Sequence, residues 1–375
     1  MTPSLSIPFE LAREASSGAG TMLHGAIVFS PCARGRVLRI DASRASAARG
    51  VVAVALASDV PGERWHGVIE RDRPGLVNVG EEVRCDADAL ALIAAEREED
   101  AWRAAALVEV TCEPLTPVLA THDALANGAP RVNPMHSNLL ARSVLTRGNV
   151  ASALAMSAYI VRDARRSAGL SSPPPVSALA VPSLNRMEIV THDAFDEARA
   201  DVARFLALPD FAVRLVSPDN TPAPRDHGLS VHEHAALLAR VTRRPVTLTL
   251  DGAYAARLRP ATNPVDIEYE MGCDSDGRLT ALRARFVGDS GAYASIAQAT
   301  LDRAVRAACG PYRVSCVDVE AYAVCTNHPP SGGALGFDEA QVSSALERCI
   351  DLLAHKAHLD PLFLRERNSP EANAA

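Results

Sequence analysis

Short apolar runs, separated by Gly, Pro, Asp and Ser, dominate the first third of the chain. Runs of this length that are bounded by turn residues predict β-strands. An Ala- and Glu-rich segment at 96–106 instead has helical character. Strands on both sides of one helix predict a compact α+β domain that closes near Gly128. The predicted strands cover residues 26–29, 37–40, 51–56, 89–95 and 107–110.

The following segment, from residue 129 to about 182, is polar and contains three consecutive prolines at 173–175. Such a composition is typical of a connector with little regular structure. We therefore predict a linker at 129–147 and a domain boundary near Gly148.

Beyond this boundary the apolar pattern alternates between helical and strand periods. Apolar residues three and four apart predict helices at 192–208, 231–241 and 339–357. Alternating runs predict strands at 211–216, 245–250 and 317–324. Residues 267–271 and 279–287 flank the polar segment 274–277, whose Asp-Gly pair favours a tight hairpin.

These elements predict two α+β units, each with its own sheet. The expected division is a first domain at 19–128, the linker at 129–147 and a second domain at 148–368.

Composition and charge narrow the function classes. The 375 residues are 48% hydrophobic and 22% charged, which is the balance of a folded globular protein. A net charge of -7 provides no basic surface for nucleic acid or for an anionic membrane. No apolar run approaches the ~20 residues of a membrane span, and the N-terminus does not resemble a secretory signal. We expect a cytoplasmic protein that acts on a small molecule or another protein.

The eight cysteines are scattered, without the paired spacing of zinc or iron–sulfur ligands. In a cytoplasmic protein they are interpreted as reduced and mostly structural thiols. Any iron–sulfur centre that works with this chain is therefore expected on another polypeptide.

Other candidate sites have simpler explanations. His232 and His234 are two residues apart on a predicted helix and so point in different directions, which disfavours a shared metal. We expect them near solvent at the start of that helix. Asp274 and Asp276 lack the twelve-residue calcium-loop pattern, and the hairpin accounts for them. The sequence contains no phosphate-binding glycine loop and no serine-nucleophile motif. It thus indicates no metal ligands, and the catalytic residues stay unknown.

Several strings, in order, resemble the large, molybdenum-cofactor-binding subunit of the xanthine dehydrogenase and aldehyde oxidase family. The resemblance implies an α/β hammerhead domain followed by the first of two molybdopterin-binding domains, and molybdopterin as the cofactor. The strings include LHGAIVFSP at 23–31, NLLARSVLTRGNV at 138–150, HAALLARVTRRPVTLTL at 234–250, TNHPP at 326–330 and LDPLFLRERN at 359–368.

The resemblance also implies which residues contact the cofactor. The family signature, approximately Gly-Ala-Phe-Arg-Gly-Phe-Gly-x-Pro-Gln, is similar to GGALGFDEAQ at 332–341. Leu335 stands in place of the family's Arg, which removes a cation, and Asp338 adds a carboxylate beside an anionic cofactor. The implied cofactor-binding residues are Gly333, Ala334, Gly336, Phe337 and Gln341.

A second departure affects the family's glycine-rich loop, whose backbone amides approach the cofactor. Residues 218–228 read PDNTPAPRDHG, and prolines have no N–H and cannot adopt positive φ. The loop is therefore not expected to present those amides.

The sequence also ends where the family's second cofactor domain, with its general base, would follow. The resemblance thus implies a shortened molybdenum hydroxylase homologue that is inactive alone. The alternative is a non-catalytic scaffold or partner subunit of an active hydroxylase. The implied partners are a chain carrying the second cofactor domain, iron–sulfur and flavin subunits and, if the complex is active, an aldehyde or N-heterocycle substrate.

Overall fold

The structure is a computed structural model that describes residues 21–67, 69–167, 176–191, 196–217, 231–250, 252–258, 264–294, 297–330 and 339–370. The strands are β1 (Leu23–Phe29), β2 (Gly35–Asp41), β3 (Val51–Leu56), β4 (Trp65–His66), β5 (Arg73–Pro74), β6 (Glu82–Val83), β7 (Ala89–Ala95), β8 (Glu109–Pro114), β9 (Leu139–Arg147), β10 (Tyr159–Ser167), β11 (Val176–Ser183), β12 (Arg186–Thr191), β13 (Val213–Val216), β14 (Val246–Leu250), β15 (Val265–Cys273), β16 (Leu279–Gly291) and β17 (Cys316–Cys325). The helices are α1 (Ser43–Ser46), α2 (Glu98–Ala105), α3 (Thr121–Ala124), α4 (Val150–Met156), α5 (Asp196–Phe205), α6 (Val231–Thr242), α7 (Gly252–Leu258), α8 (Ala297–Ala307), α9 (Glu339–Ala357) and α10 (Pro361–Asn368). The mixed composition confirms the predicted α+β class.

The larger sheet has seven strands in the order β13-β12-β11-β14-β1-β7-β3. β7 is apolar and buried at every position, as expected for a strand covered on both faces. Side chains of β1 alternate between the two faces. Ile27 packs in the core that includes α6, whereas Ala26 and Val28 pack in the core that includes α2. The sheet is therefore a central layer between these two helices.

This sheet runs continuously through both halves of the chain, so the prediction of two separate sheets is wrong. β1 pairs in parallel with β14, with Leu23 opposite Val246 and Gly25 opposite Leu248. Apolar periodicity shows which face of a strand is buried but does not identify the neighbouring strand. Joining β1 to β14 satisfies hydrogen-bonding groups that two separate sheets would each leave at an edge. The domain limits 19–128 and 148–368 stay a prediction.

The predicted linker at 129–147 is also not a structureless connector. Its second half is β9, which pairs antiparallel with β17 at the edge of a five-stranded sheet. Ala141 is the one buried residue of this strand, and most of its other side chains are exposed. An edge strand with so little buried surface has a weak apolar signal, which explains the error.

The five-stranded sheet has the order β10-β15-β16-β17-β9, and α8 and α9 cover one of its faces. The predicted hairpin is confirmed as β15 and β16, with Tyr269 opposite Ala284. In its turn Asp274 Oδ1 accepts hydrogen bonds from the backbone N–H groups of Asp276 and Arg278. Gly277 adopts a φ of 79°, the left-handed conformation that glycine tolerates best. Asp274 and Gly277 thus have structural roles in the turn of the hairpin.

Candidate cofactor region and buried polar junction

Gln341 is the one implied cofactor residue within the described part of the chain. Gly333, Ala334, Gly336 and Phe337 lie outside it, as do residues 218–228. Gln341 lies in the first turn of α9, and its Nε2 donates a hydrogen bond of 2.6 Å to the hydroxyl oxygen of Ser167 at the end of β10. The amide therefore ties α9 to the five-stranded sheet.

A hydrogen-bonded corner around Asp289 precedes the implied cofactor segment in the sequence. The backbone N–H of Gly291 and the hydroxyl of Thr326 donate to Asp289 Oδ1 at 2.9 and 2.6 Å. His328 Nδ1 lies 2.6 Å from Asp289 Oδ2, and this hydrogen bond raises the pKa of His328. Asp289 is buried, so it joins the end of β16 to the segment after β17 with three short contacts.

Gly291 is the tightest position of this corner, and we expect Gly291→Ala to destabilise the fold by about 3 kcal/mol. Its φ is 72°, and an added Cβ would lie 2.4 Å from the carbonyl oxygen of Pro329. Gly80 is the matched control, because its φ is 89° but an added Cβ would meet nothing within 4 Å. Gly80→Ala should cost about 1 kcal/mol in urea unfolding, from backbone strain alone. Equal losses in the two variants would contradict the steric argument.

A buried polar junction joins the first third of the chain to the segment after β16. Asp72 Oδ2 accepts hydrogen bonds from Asn133 Nδ2 and from the backbone N–H of Ala294, both at 2.8 Å. Tyr293 donates its hydroxyl to Asp88 Oδ1 at 2.7 Å. Burial raises the pKa of Asp72 and of Tyr293. The contacts with Tyr293 and Ala294 join residues more than 200 positions apart, and sequence patterns do not reveal them.

The start of α6 forms the other side of this junction. Because His232 and His234 are buried there, the prediction that they lie near solvent is wrong. His232, Glu233 and His234 are only 4%, 1% and 0% exposed. His234 Nε2 lies 2.6 Å from the carbonyl oxygen of Gly75, so it donates this hydrogen bond. Glu233 Oε2 lies 3.3 Å from Nδ1 of His66. The first turns of α6 are covered on all sides, which a helical pattern alone does not indicate.

Burial also sets the charge of these groups. It lowers the pKa of His232 and of His234 to about 4, and it lowers the pKa of His66 well below its usual range. It raises the pKa of Glu233 well above its usual range. Neither charge is solvated here, so burial shifts both pKa values towards the uncharged acid and the uncharged imidazole.

Several buried polar atoms of the junction have no hydrogen-bond partner among the described residues. Each such atom lowers the free energy of unfolding by about 1–3 kcal/mol, so the unpartnered atoms of the junction destabilise the fold. The unpartnered atoms include both ring nitrogens of His66, Nδ1 of His234, Oε2 of Glu233, Oδ1 of Asp72 and Nε of Arg84.

Gln341 is the one implied cofactor residue that the structure describes, and its amide already donates to Ser167. The buried junction combines the carboxyl groups of Asp72 and Glu233 with the guanidinium groups of Arg73 and Arg84. Over the described ranges no three His, Cys, Asp or Glu residues are placed to hold a metal ion. None of the helices described is both long and apolar enough to span a membrane. All eight cysteines are free thiols.

Comparisons with known proteins cover nearly the whole chain. Residues 17–116 match the family model of the aldehyde oxidase and xanthine dehydrogenase a/b hammerhead domain, and residues 132–369 match that of the molybdopterin cofactor-binding domain. A probable xanthine dehydrogenase subunit from Bacillus subtilis is 30% identical over 92% of the chain, which spans 47% of that protein. The nicotinate dehydrogenase large molybdopterin subunit of Eubacterium barkeri is also 30% identical, and the chain spans 84% of it.

Solved structures agree with these matches. Quinoline 2-oxidoreductase from Pseudomonas putida 86 has a TM-score of 0.78 and 29% identity, with 96% of this chain and 48% of the other covered. Aldehyde oxidoreductase from Desulfovibrio gigas has a TM-score of 0.86 at 24% identity over 97% of this chain and 41% of the other, which supports the fold alone. The chain thus spans about half the length of most of these relatives.

Proposed function

The chain belongs to the xanthine dehydrogenase and aldehyde oxidase family of molybdenum hydroxylases, and we propose that it is inactive alone and contributes only the first cofactor-binding part of such an enzyme. This proposal rests on how much of the length of two relatives the chain matches. The chain spans 47% of one but 84% of another, which is named as the large molybdopterin subunit of a nicotinate dehydrogenase. A polypeptide of about this extent can therefore serve as one subunit of a larger enzyme.

The proposed partners follow from the part of the relatives that the chain does not match. The chain spans 47% of the Bacillus subtilis relative, and we propose that a second polypeptide carries the other cofactor domain and the general base. Iron–sulfur and flavin subunits would accept the electrons, since the cysteines here have no cluster-ligand spacing. The completed enzyme would act in the cytoplasm on an aldehyde or an N-heterocycle.

A second candidate function is a non-catalytic scaffold or partner subunit of an active hydroxylase. Three prolines at 218–228 and Leu335 in place of the family's Arg favour it, because both changes remove donors for an anionic cofactor.

We expect the isolated chain to contain no molybdenum or pterin and to show no turnover. Each preorganised donor or general base contributes on the order of 10² or more in rate, so losing several together leaves activity undetectable. The measurement is metal and pterin content after purification from a host that makes the cofactor, followed by a dye-reduction assay with purines, aldehydes and N-heterocycles. Leu335→Arg alone should not restore either property.

Co-expression with the products of the adjacent reading frames distinguishes the two candidate functions. Cofactor and turnover that require both chains would support the catalytic-subunit proposal. A stable complex whose activity is unchanged when this chain is omitted would support the scaffold. Stoichiometric molybdenum with turnover in the isolated chain would contradict both.

A further inference from the structure

Two cysteines distant in sequence meet beside the three-stranded sheet β6-β2-β8. Cys32 lies in the turn between β1 and β2, and Cys112 lies in β8, opposite Val37 of β2. Both side chains are partly buried against the same small core, which includes Val37 and Leu90. Both cysteines are therefore partly exposed, and a small reagent can reach them.

Gly35 shows how close the two side chains are. A Cβ added to Gly35 would lie 3.0 Å from Sγ of Cys32 and 3.4 Å from Cβ of Cys112, so both cysteines crowd the same side of this glycine. Burial and the neighbouring Cys32 thiol together raise the pKa of Cys112 to about 11. The two cysteine side chains therefore lie next to each other beside Gly35.

Hydrogen bonds to the backbone of each cysteine hold the two residues in place. The Ser30 hydroxyl donates to the carbonyl oxygen of Cys32 at 2.7 Å and accepts from the Cys32 N–H at 3.2 Å. Ser30 is itself buried, and its N–H donates to the carbonyl of Asp88. Cys112 is held by the pairing of β8 with β2. The folded chain therefore brings the two cysteine side chains together.

We propose that Cys32 and Cys112 form a dithiol site that a low-molecular-weight disulfide oxidises to an intramolecular disulfide. The Cys32 thiolate attacks one sulfur of the reagent, which forms a mixed disulfide and releases one thiolate. Cys112 then loses its proton and attacks the sulfur of Cys32, which releases the second thiolate. Two protein thiols are oxidised, and one disulfide reagent is reduced by two electrons. This site involves none of the candidate cofactor residues and is independent of the proposed function.

The disulfide would join the turn after β1 to β8 and close the long chain segment between them. Constraining the unfolded chain in this way raises thermal stability. We therefore expect the melting temperature to rise by several degrees on oxidation and to return on reduction with dithiothreitol.

The test is to incubate the full chain with oxidised glutathione, block the remaining thiols with N-ethylmaleimide and digest with trypsin without reduction. We expect two of the eight thiols to be lost and the peptides 14–34 and 104–131 to be found joined. Cys112→Ser should instead stop at a glutathione adduct on Cys32. Cys316→Ser, which removes another half-buried thiol, should leave the cross-link intact.

Recovery of Cys32 and Cys112 as separately alkylated peptides would overturn the proposal, as would a cross-link between other cysteines. Because the peptide analysis uses the unaltered protein, poor folding of a variant would not change this outcome.

Discussion

Acidification from about pH 6.5 to about pH 4 should remove several kcal/mol of folding free energy through His232 and His234 alone. Burial lowers the pKa of each to about 4, whereas an unfolded histidine ionises near 6.5. The unfolded state therefore binds protons that the folded state excludes, and stability is lost as the pH falls through this window. Each residue contributes about 3 kcal/mol. This is a large fraction of the 5–15 kcal/mol that stabilises a typical domain. His66, with its lowered pKa, adds to the loss.

The measurement is urea unfolding followed by circular dichroism at about pH 7 and about pH 5. Replacing His232 and His234 together by Gln should flatten the pH dependence, even though the loss of the bond to Gly75 lowers stability at pH 7. His122→Gln is the matched control, since the His122 side chain is 79% exposed on α3. An unchanged slope in the double variant would show that the buried histidines do not govern acid stability.

Much of the fold could be predicted from apolar periodicity. β3, β7 and α9 match the predicted limits because their patterns are long and uninterrupted. Strand pairing could not be predicted in this way, since the contact between β1 and β14 joins residues more than 200 positions apart. β9 was missed because an edge strand with one buried side chain has almost no apolar signal.

The candidate site was predictable only where the resemblance provided residues. Gln341 was identified from the family signature, and its hydrogen bond to Ser167 needed the structure. The junction gave no local signal, because Asp72 and Tyr293 look like ordinary loop residues in their own segments. The sequence predicts His232 and His234 near solvent because polar residues at the start of a helix are usually exposed. Only the packing of α6 against the segment around Gly75 shows otherwise.

The junction also predicts the opposite pH dependence on the alkaline side, through Glu233. Burial holds the pKa of this carboxyl well above its usual range, whereas an unfolded glutamate ionises near pH 4.5. The folded state therefore keeps a proton that the unfolded state releases. The stability that Glu233 contributes is present below pH 4.5 and is lost as the pH rises towards its folded pKa. This alkaline loss is opposite in sign to the loss that the histidines cause on acidification.

Glu233→Gln should consequently stabilise the protein at alkaline pH. An amide of the same shape never ionises, so the gain should grow by up to about 1.4 kcal/mol per pH unit while the wild-type carboxyl resists ionisation. Urea unfolding of both proteins between about pH 6 and about pH 9 measures this difference. Glu366→Gln, an exposed substitution on α10, should leave the pH dependence unchanged. If Glu233→Gln instead destabilises the protein equally at every pH, Glu233 is ionised in the folded state and paired with nearby cations such as Arg73 or Arg71.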